Sequence, residues 1–299
     1  MDSTIVNIWL LWGPCIILGA VSGYLSERVG IVNIGINGMM VSGAFFFCLF
    51  SNVIGSQYAY LFWPVMMLSA TCTIVLGIAF AFATVKLKSN HTVIGTAINL
   101  FASGIGMILS EFAPSFFDTP NIKNQFNQTW LIGSSGVFGS SVFAFVFAIL
   151  LCMLVWFIMN FTKIGLRYRA CGQNPHAVYG QGISVSRYQF IGLIISSFIA
   201  GLGGTYYAYN SIAFNGDVSG YGFISLAIMI VGAWKILPII VVGSLFALII
   251  SFTRADITSS NPYLLRTIPY LATIVSMVIF GRFIKPPAYA GIPFDEKNR

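Results

Sequence analysis

The chain has 299 residues, 57% of them hydrophobic and 8% charged, with a mean hydropathy of +0.87 and a formal charge of +7. Soluble domains carry roughly a quarter charged residues, so this composition excludes a soluble enzyme or a nucleic-acid-binding domain and describes a polytopic membrane protein. The surplus of Lys and Arg belongs to loops on the cytoplasmic side of a bilayer.

A spanning helix needs ~20 mostly apolar residues. The first such stretch is 5–25. Asp2 is the only charge before it, so it lacks the basic lead of a cleaved secretory signal and reads as a retained span with its N-terminus outside. Further apolar stretches follow at 33–50, 59–84, 92–112, 137–161, 188–209, 221–234, 236–253 and 264–281. The expected fold is all-α: one membrane helix bundle over residues 1–299, with about nine spans.

Two stretches are interrupted. Residues 30–43, GIVNIGINGMMVSG, hold four Gly besides Asn33 and Asn37, and the run 221–238 passes through Lys235 into Pro238. Such segments mark broken or re-entrant helices beside a translocation path. Small residues serve close helix packing equally well, as at Gly201-Leu202-Gly203-Gly204. Both readings stand at this point.

Between the spans, 113–136 is the longest exterior loop, with the glycosylation-type triplet Asn127-Gln128-Thr129 and aromatics suited to a membrane interface. The segment 163–187, KIGLRYRACGQNPHAVYGQGISVSR, has Lys163, Arg167, Arg169 and Arg187 and no acid. The chain closes with a basic tail, 282–299. Segments assigned inside hold twelve Lys and Arg, against Lys123, Arg254 and Arg266 outside. That asymmetry predicts a cytoplasmic C-terminus.

Catalytic chemistry is sparse. The five Cys (15, 48, 72, 152 and 171) have no CxxC pairing and there are two His, which gives neither a disulfide framework nor metal-ligand spacing. No GxxxxGK[ST], HExxH or GxSxG sequence occurs, so the chain has no recognisable route to ATP hydrolysis. Asp217 is placed with the exterior segments, Glu27 sits beside Arg28 at a span end, and no span centre holds an acid. This weighs against an ion-coupled carrier, the alternative function for such a chain. Glu27 and Arg28 either anchor the span end or gate a path. Asn33, Asn37 and Asn99 lie within apolar stretches, where amides glue helices together or read a base or sugar hydroxyl. Phe45, Phe46 and Phe101 fit core packing, lipid contact or stacking on a base.

Within 163–187, Asn174 can cap a short helix with Pro175 at its first position, and Gly180 and Gly182 can end it. Ala177 and Val178 offer a small apolar face. The segment is either a solvated loop whose cations set topology or an element that docks on a partner.

Several stretches resemble the permease subunits of ABC importers, in the simple-sugar and nucleoside branch related to ribose and branched-chain amino-acid permeases. The run AVSGYLSERVGIVNIGINGMMVSGAFF resembles the opening of that branch through Ser26, Glu27, Arg28, Gly30, Asn33, Gly35, Gly38, Met39, Met40 and Gly43. Val93, Gly95, Ile98, Asn99 and Leu100 are similar to a later helix start, GLRYRACGQNPHAVYGQGISVSRY to its cytoplasmic loop, and KPPAYAGIPFDEKNR to its tail. Asn37 stands where the pattern often has Glu, and Tyr179 where it has Ala.

The resemblance implies an importer permease in the bacterial inner membrane that passes a nucleoside or simple sugar. It also implies a separate ATP-binding subunit that holds ATP and Mg, with no cofactor on this chain. A second homologous permease in a heterodimer and an extracellular substrate-binding protein or lipoprotein complete the set. Residues about 171–183 become a coupling helix, with Arg169, Gly172, Gln173, Asn174, Pro175, Ala177, Val178 and Gly182 as its candidate contacts. Glu27, Arg28, Asn33, Asn37, Phe45 and Asn99 become candidates for the path or its gate.

Overall fold

A computed structural model describes residues 3–54, 62–112, 137–211, 214–255, 262–281 and 286–294. The segment 113–136, expected as an exterior loop, and part of the tail, 282–285 and 295–299, lie outside the described residues. The helices are α1 (Ser3–Arg28), α2 (Ile36–Ile54), α3 (Phe62–Cys72), α4 (Ile74–Ala81), α5 (His91–Phe112), α6 (Val137–Phe161), α7 (Lys163–Gln173), α8 (Pro175–Gly180), α9 (Val185–Asn210), α10 (Tyr221–Val231), α11 (Ile236–Ala255) and α12 (Pro262–Phe280). A π-helical turn, Phe82–Lys86, extends α4.

Each of the nine apolar stretches is helical over most of its described residues. Among the described residues, seven helical segments are long and apolar enough to cross a membrane, while Tyr221–Val231 and Thr267–Phe280 are shorter. The outer helices α5, α6 and α12 turn Leu100, Phe101, Leu150, Leu154, Ile274 and Val278 outward, surfaces that lipid accepts. Satisfying every backbone group inside helices is the condition for placing such a chain in hydrocarbon.

The centre of the bundle is α1, packed against α9, α11, α10, α6 and α2. Small residues set the spacing. A Cβ on Gly43 of α2 would overlap the Gly201 carbonyl, and one on Gly204 of α9 would overlap the Met40 carbonyl. Thus α2 and α9 touch backbone to backbone, as small-residue interfaces in membranes do. Polar side chains bond to α9 from its other neighbours: Thr73, between α3 and α4, donates to the Ser197 carbonyl at 2.8 Å, and Ser196 donates to the Ser22 carbonyl of α1 at 2.9 Å.

Residue by residue, α1 serves as a ruler. Tyr221 stacks on Trp12, the Ser225 hydroxyl donates to the Ile16 carbonyl, Gly23 faces Met229 and Ile36, and Trp234 meets Glu27 and Arg28. So α10 starts near the middle of α1 and runs to the end of α1 that bears Arg28. Its 11 residues rise ~16 Å, about half of a ~30 Å hydrocarbon core.

The interruption expected at 30–43 is confined to 29–35, where Gly30 has φ +98°. From Ile36 onward the chain is regular helix, and Gly38 and Gly43 are close-approach residues rather than breaks. The second interruption is the turn at 232–235, where Ala233 and Trp234 are left-handed at φ +55° and +51°. Two consecutive non-Gly residues in that region store strain, which the bonds made by Trp234 offset.

Candidate functional site

Two places gather the sequence-predicted residues. The first is where the starts of α2 and α10 meet, about half-way along α1. Asn37 Oδ1 accepts from the Gly222 amide at 3.2 Å, which satisfies one of the orphan N–H groups of α10. Asn37 Nδ2 donates to Asp217 Oδ1 at 3.3 Å, and the Ser103 hydroxyl of α5 donates to the same oxygen at 3.3 Å. Asp217 was read as exterior; the segment 214–220 instead packs where α10 begins, with Asp217 against Asn37. Where the family pattern often has Glu at position 37, here a carboxylate arrives from 180 residues away.

Asn99 and Asn33 take other roles. Asn99 Oδ1 accepts from the Gly38 amide at 2.7 Å and its Nδ2 donates to the Ile34 carbonyl at 3.0 Å, so it caps α2 from outside and holds the 29–35 segment. Asn33 is fully buried, donates to Met39 Sδ at 3.6 Å, and leaves Oδ1 without a partner among the described residues. Phe45 lines a cleft of about 250 Å³ between α2, α4 and α5 with Phe46, Phe101, Ala102 and Ile105.

The second place is the basic end of the bundle. Glu27 accepts from Trp234 Nε1 at 2.6 Å, and the Arg28 guanidinium donates from Nε and Nη2 to the Trp234 carbonyl. The left-handed turn thus offers its indole to one residue and its backbone to the next. Beside it, Thr162 caps α7 by accepting from the Gly165 amide at 3.1 Å, and the Tyr168 hydroxyl donates to the Leu25 carbonyl at 2.6 Å. The expected helix covered only about 171–183, so α7 is an addition to it; its docking through Tyr168 is a tertiary contact that local composition does not reveal.

The short helix expected after Asn174 forms, as its cap and proline imply. Asn174 Oδ1 accepts from the Ala177 amide at 3.1 Å, Pro175 opens α8, and Gly182 follows it at φ +76°. Gln173, Asn174, Ala177 and Gly182 are exposed, while Gly172, Pro175 and Val178 are buried. The expected apolar face is therefore split: Val178 packs inward and Ala177 faces out. Arg169 turns back to α6, where its Nη1 donates to Asn160 Oδ1 at 3.4 Å.

The tail joins this end. The Tyr289 amide donates to the Gly172 carbonyl at 3.1 Å and the Gly291 amide to the Gly30 carbonyl at 3.1 Å. Rings of Tyr289 and Phe294 lie 5.8 and 5.3 Å from His176, and Phe294 lies 5.8 Å from Tyr179. A Cβ on Gly172 would overlap the Arg28 carbonyl. One junction therefore links α8, the end of α1 and the 29–35 segment, which leads into Asn37.

Residues 5–281 match the family described as Branched-chain amino acid transport system / permease component. The chain belongs to that family. This permease is 32% identical to the Guanosine ABC transporter permease protein NupQ of Bacillus subtilis, over 99% of this chain and 98% of the relative. It is 32% identical to the Nucleoside ABC transporter permease protein NupC of Lactococcus lactis subsp. cremoris, over 95% and 94%. An uncharacterized Mycoplasma genitalium protein is 42% identical over 97% of each chain. No solved structure matches. The chain is a multi-pass membrane subunit of a transporter rather than an enzyme.

Cys171 of the permease reports on the junction. Its carbonyl lies beside Gly30, and its thiol is free and buried, which pushes its pKa up to about 11. A free thiol titrates near ~8.5, so the native thiolate fraction at neutral pH is lower by roughly two orders of magnitude. In a variant whose other four cysteines are alanine, maleimide labelling of Cys171 is expected to be slow at pH 7 and to rise about tenfold per pH unit. Labelling as fast in the native permease as in the denatured chain contradicts the packed junction.

Proposed function

We propose that this permease is half of the membrane path of an ATP-driven importer for a nucleoside. The observation that carries the reading is near full-length similarity to two permeases named for guanosine and nucleosides. The meeting of two helix starts at membrane mid-depth supports it. Irregular backbone at that depth is tolerated where it is enclosed by protein or lines a wet path. A second homologous permease supplies the other half in a heterodimer, and an extracellular binding protein or lipoprotein delivers the substrate.

ATP and Mg reside on a separate ATPase that docks at the basic end, through α8 and the exposed residues Gln173, Asn174, His176, Ala177 and Tyr179. The concentration of Lys and Arg there supports a cytoplasmic C-terminus and an exterior N-terminus, in the bacterial cell membrane. ATP-driven closure shifts the permease between two states through its differential contacts with α8.

The test is uptake by the reconstituted complex against a panel of nucleosides and simple sugars. ATP-dependent nucleoside uptake is expected. Uptake of sugars only, or gradient-driven uptake without the ATPase, overturns the reading. Single cysteines placed from 174 to 182 are expected to cross-link to the ATPase.

A further inference from the structure

The geometry points to Asp217 as a contact for the vicinal hydroxyls of a pentose on its way through the permease. The inference rests on the nucleoside reading above and goes on to name the group that the path reads.

Asp217 is a half-buried carboxylate at the depth where α2 and α10 begin. Ionisable side chains at such depth are costly and mark paths or substrate contacts. Both donors that hold it, Asn37 Nδ2 and Ser103 Oγ, are neutral, and both act on Oδ1 at 3.3 Å. Among the described residues this leaves the acceptor capacity of Oδ2 uncommitted. Asn37 is held at both ends of its amide, accepting from Gly222 while donating to Asp217. It is a positioning residue for the carboxylate.

The segment that presents Asp217 is built for that placement. Gly216, Ser219 and Gly220 all have positive φ, at +80°, +49° and +70°. A Cβ on Gly216 would overlap the Met107 amide of α5. The loop is thus wedged one turn beyond Ser103, and on its other side Tyr270 of α12 donates to the Ser219 carbonyl. Three left-handed residues in five, one of them a serine, are kept only when surrounding contacts over-determine them, and such strain gathers at working sites.

A carboxylate accepts hydrogen bonds and donates none. It suits two adjacent hydroxyls, and its charge repels a phosphate. A ribonucleoside offers that pair; a 2′,3′-dideoxynucleoside lacks it, and a nucleotide adds the repelled group.

The experiment compares uptake of a ribonucleoside and its 2′,3′-dideoxy counterpart by the full reconstituted complex. Wild type, Asp217→Asn and Ser103→Ala are measured with the same binding protein, so its own selectivity cancels in the ratio. Asp217→Asn is expected to slow ribonucleoside uptake about tenfold, the effect of losing hydrogen bonds to a charged group, while dideoxynucleoside uptake stays within twofold. Ser103→Ala, which removes one support and keeps the carboxylate, is expected to lower the ratio by less. It carries the test alone should Asp217→Asn fail to assemble. An unchanged ratio in the variants, with ribonucleoside uptake intact in the wild type, overturns this inference and leaves the nucleoside reading standing. Absence of any nucleoside uptake by the wild type overturns both.

Discussion

Gly204→Ala is expected to leave little folded permease in the membrane. The added methyl would overlap the Met40 carbonyl, which belongs to regular helix and cannot swing aside. Gly43→Ala meets the Gly201 carbonyl across the same seam and is expected to act alike. Overpacking a well-filled interior costs typically about 1–3 kcal/mol, and a backbone-on-Cβ clash falls at or beyond the upper end. Gly104→Ala is the control, because its Cβ would meet nothing within 4 Å. Melting of the detergent-purified permease checks the set. A Gly204→Ala protein as stable as Gly104→Ala would mean that α2 and α9 do not pack as described.

The second large effect concerns coupling. A permease that stops after residue 285 loses both backbone bonds of the tail, to Gly172 and to Gly30, and the rings against His176 and Tyr179. Two such bonds contribute about 1 kcal/mol each, and each ring contact about 0.5–1.5 kcal/mol. Without them α8 retains its cap at Asn174 but loses its tie to the 29–35 segment that leads into Asn37. The truncated permease is expected to assemble with the ATPase and to support ATP hydrolysis. Uptake is expected to fall at least tenfold. Phe294→Ala keeps the backbone bonds and is expected to cost less. Uptake by the truncated permease at the wild-type rate would show that the tail does not take part in transmission.

Both effects depend on contacts that sequence patterns touch only obliquely. Gly201-Leu202-Gly203-Gly204 could be recognised as a packing surface, but not that Gly204 faces Met40 while Gly203 faces Cys15. The likeness of the tail to a family pattern was visible. Its return to Gly30 and Gly172 was not, because a hydrogen bond between two backbones leaves no mark on side-chain identity. The indole of Trp234 was a further residue with no signal at all: its role follows from a left-handed turn that neither neighbour announces.

What the amino-acid sequence settled by itself is what depends on near neighbours. Runs of apolar residues set the helices, because hydrocarbon demands about twenty residues with internal hydrogen bonds. Asn174 and Pro175 started α8, because a cap acts within three residues. Tertiary structure alone decided depth and partnership. Asp217, polar and flanked by turn residues, has the pattern of an exterior loop, yet the chain folds it inward until it meets Asn37 and Ser103. A local pattern reports whether a residue tolerates water; only the packed bundle decides which water, and how deep, it faces.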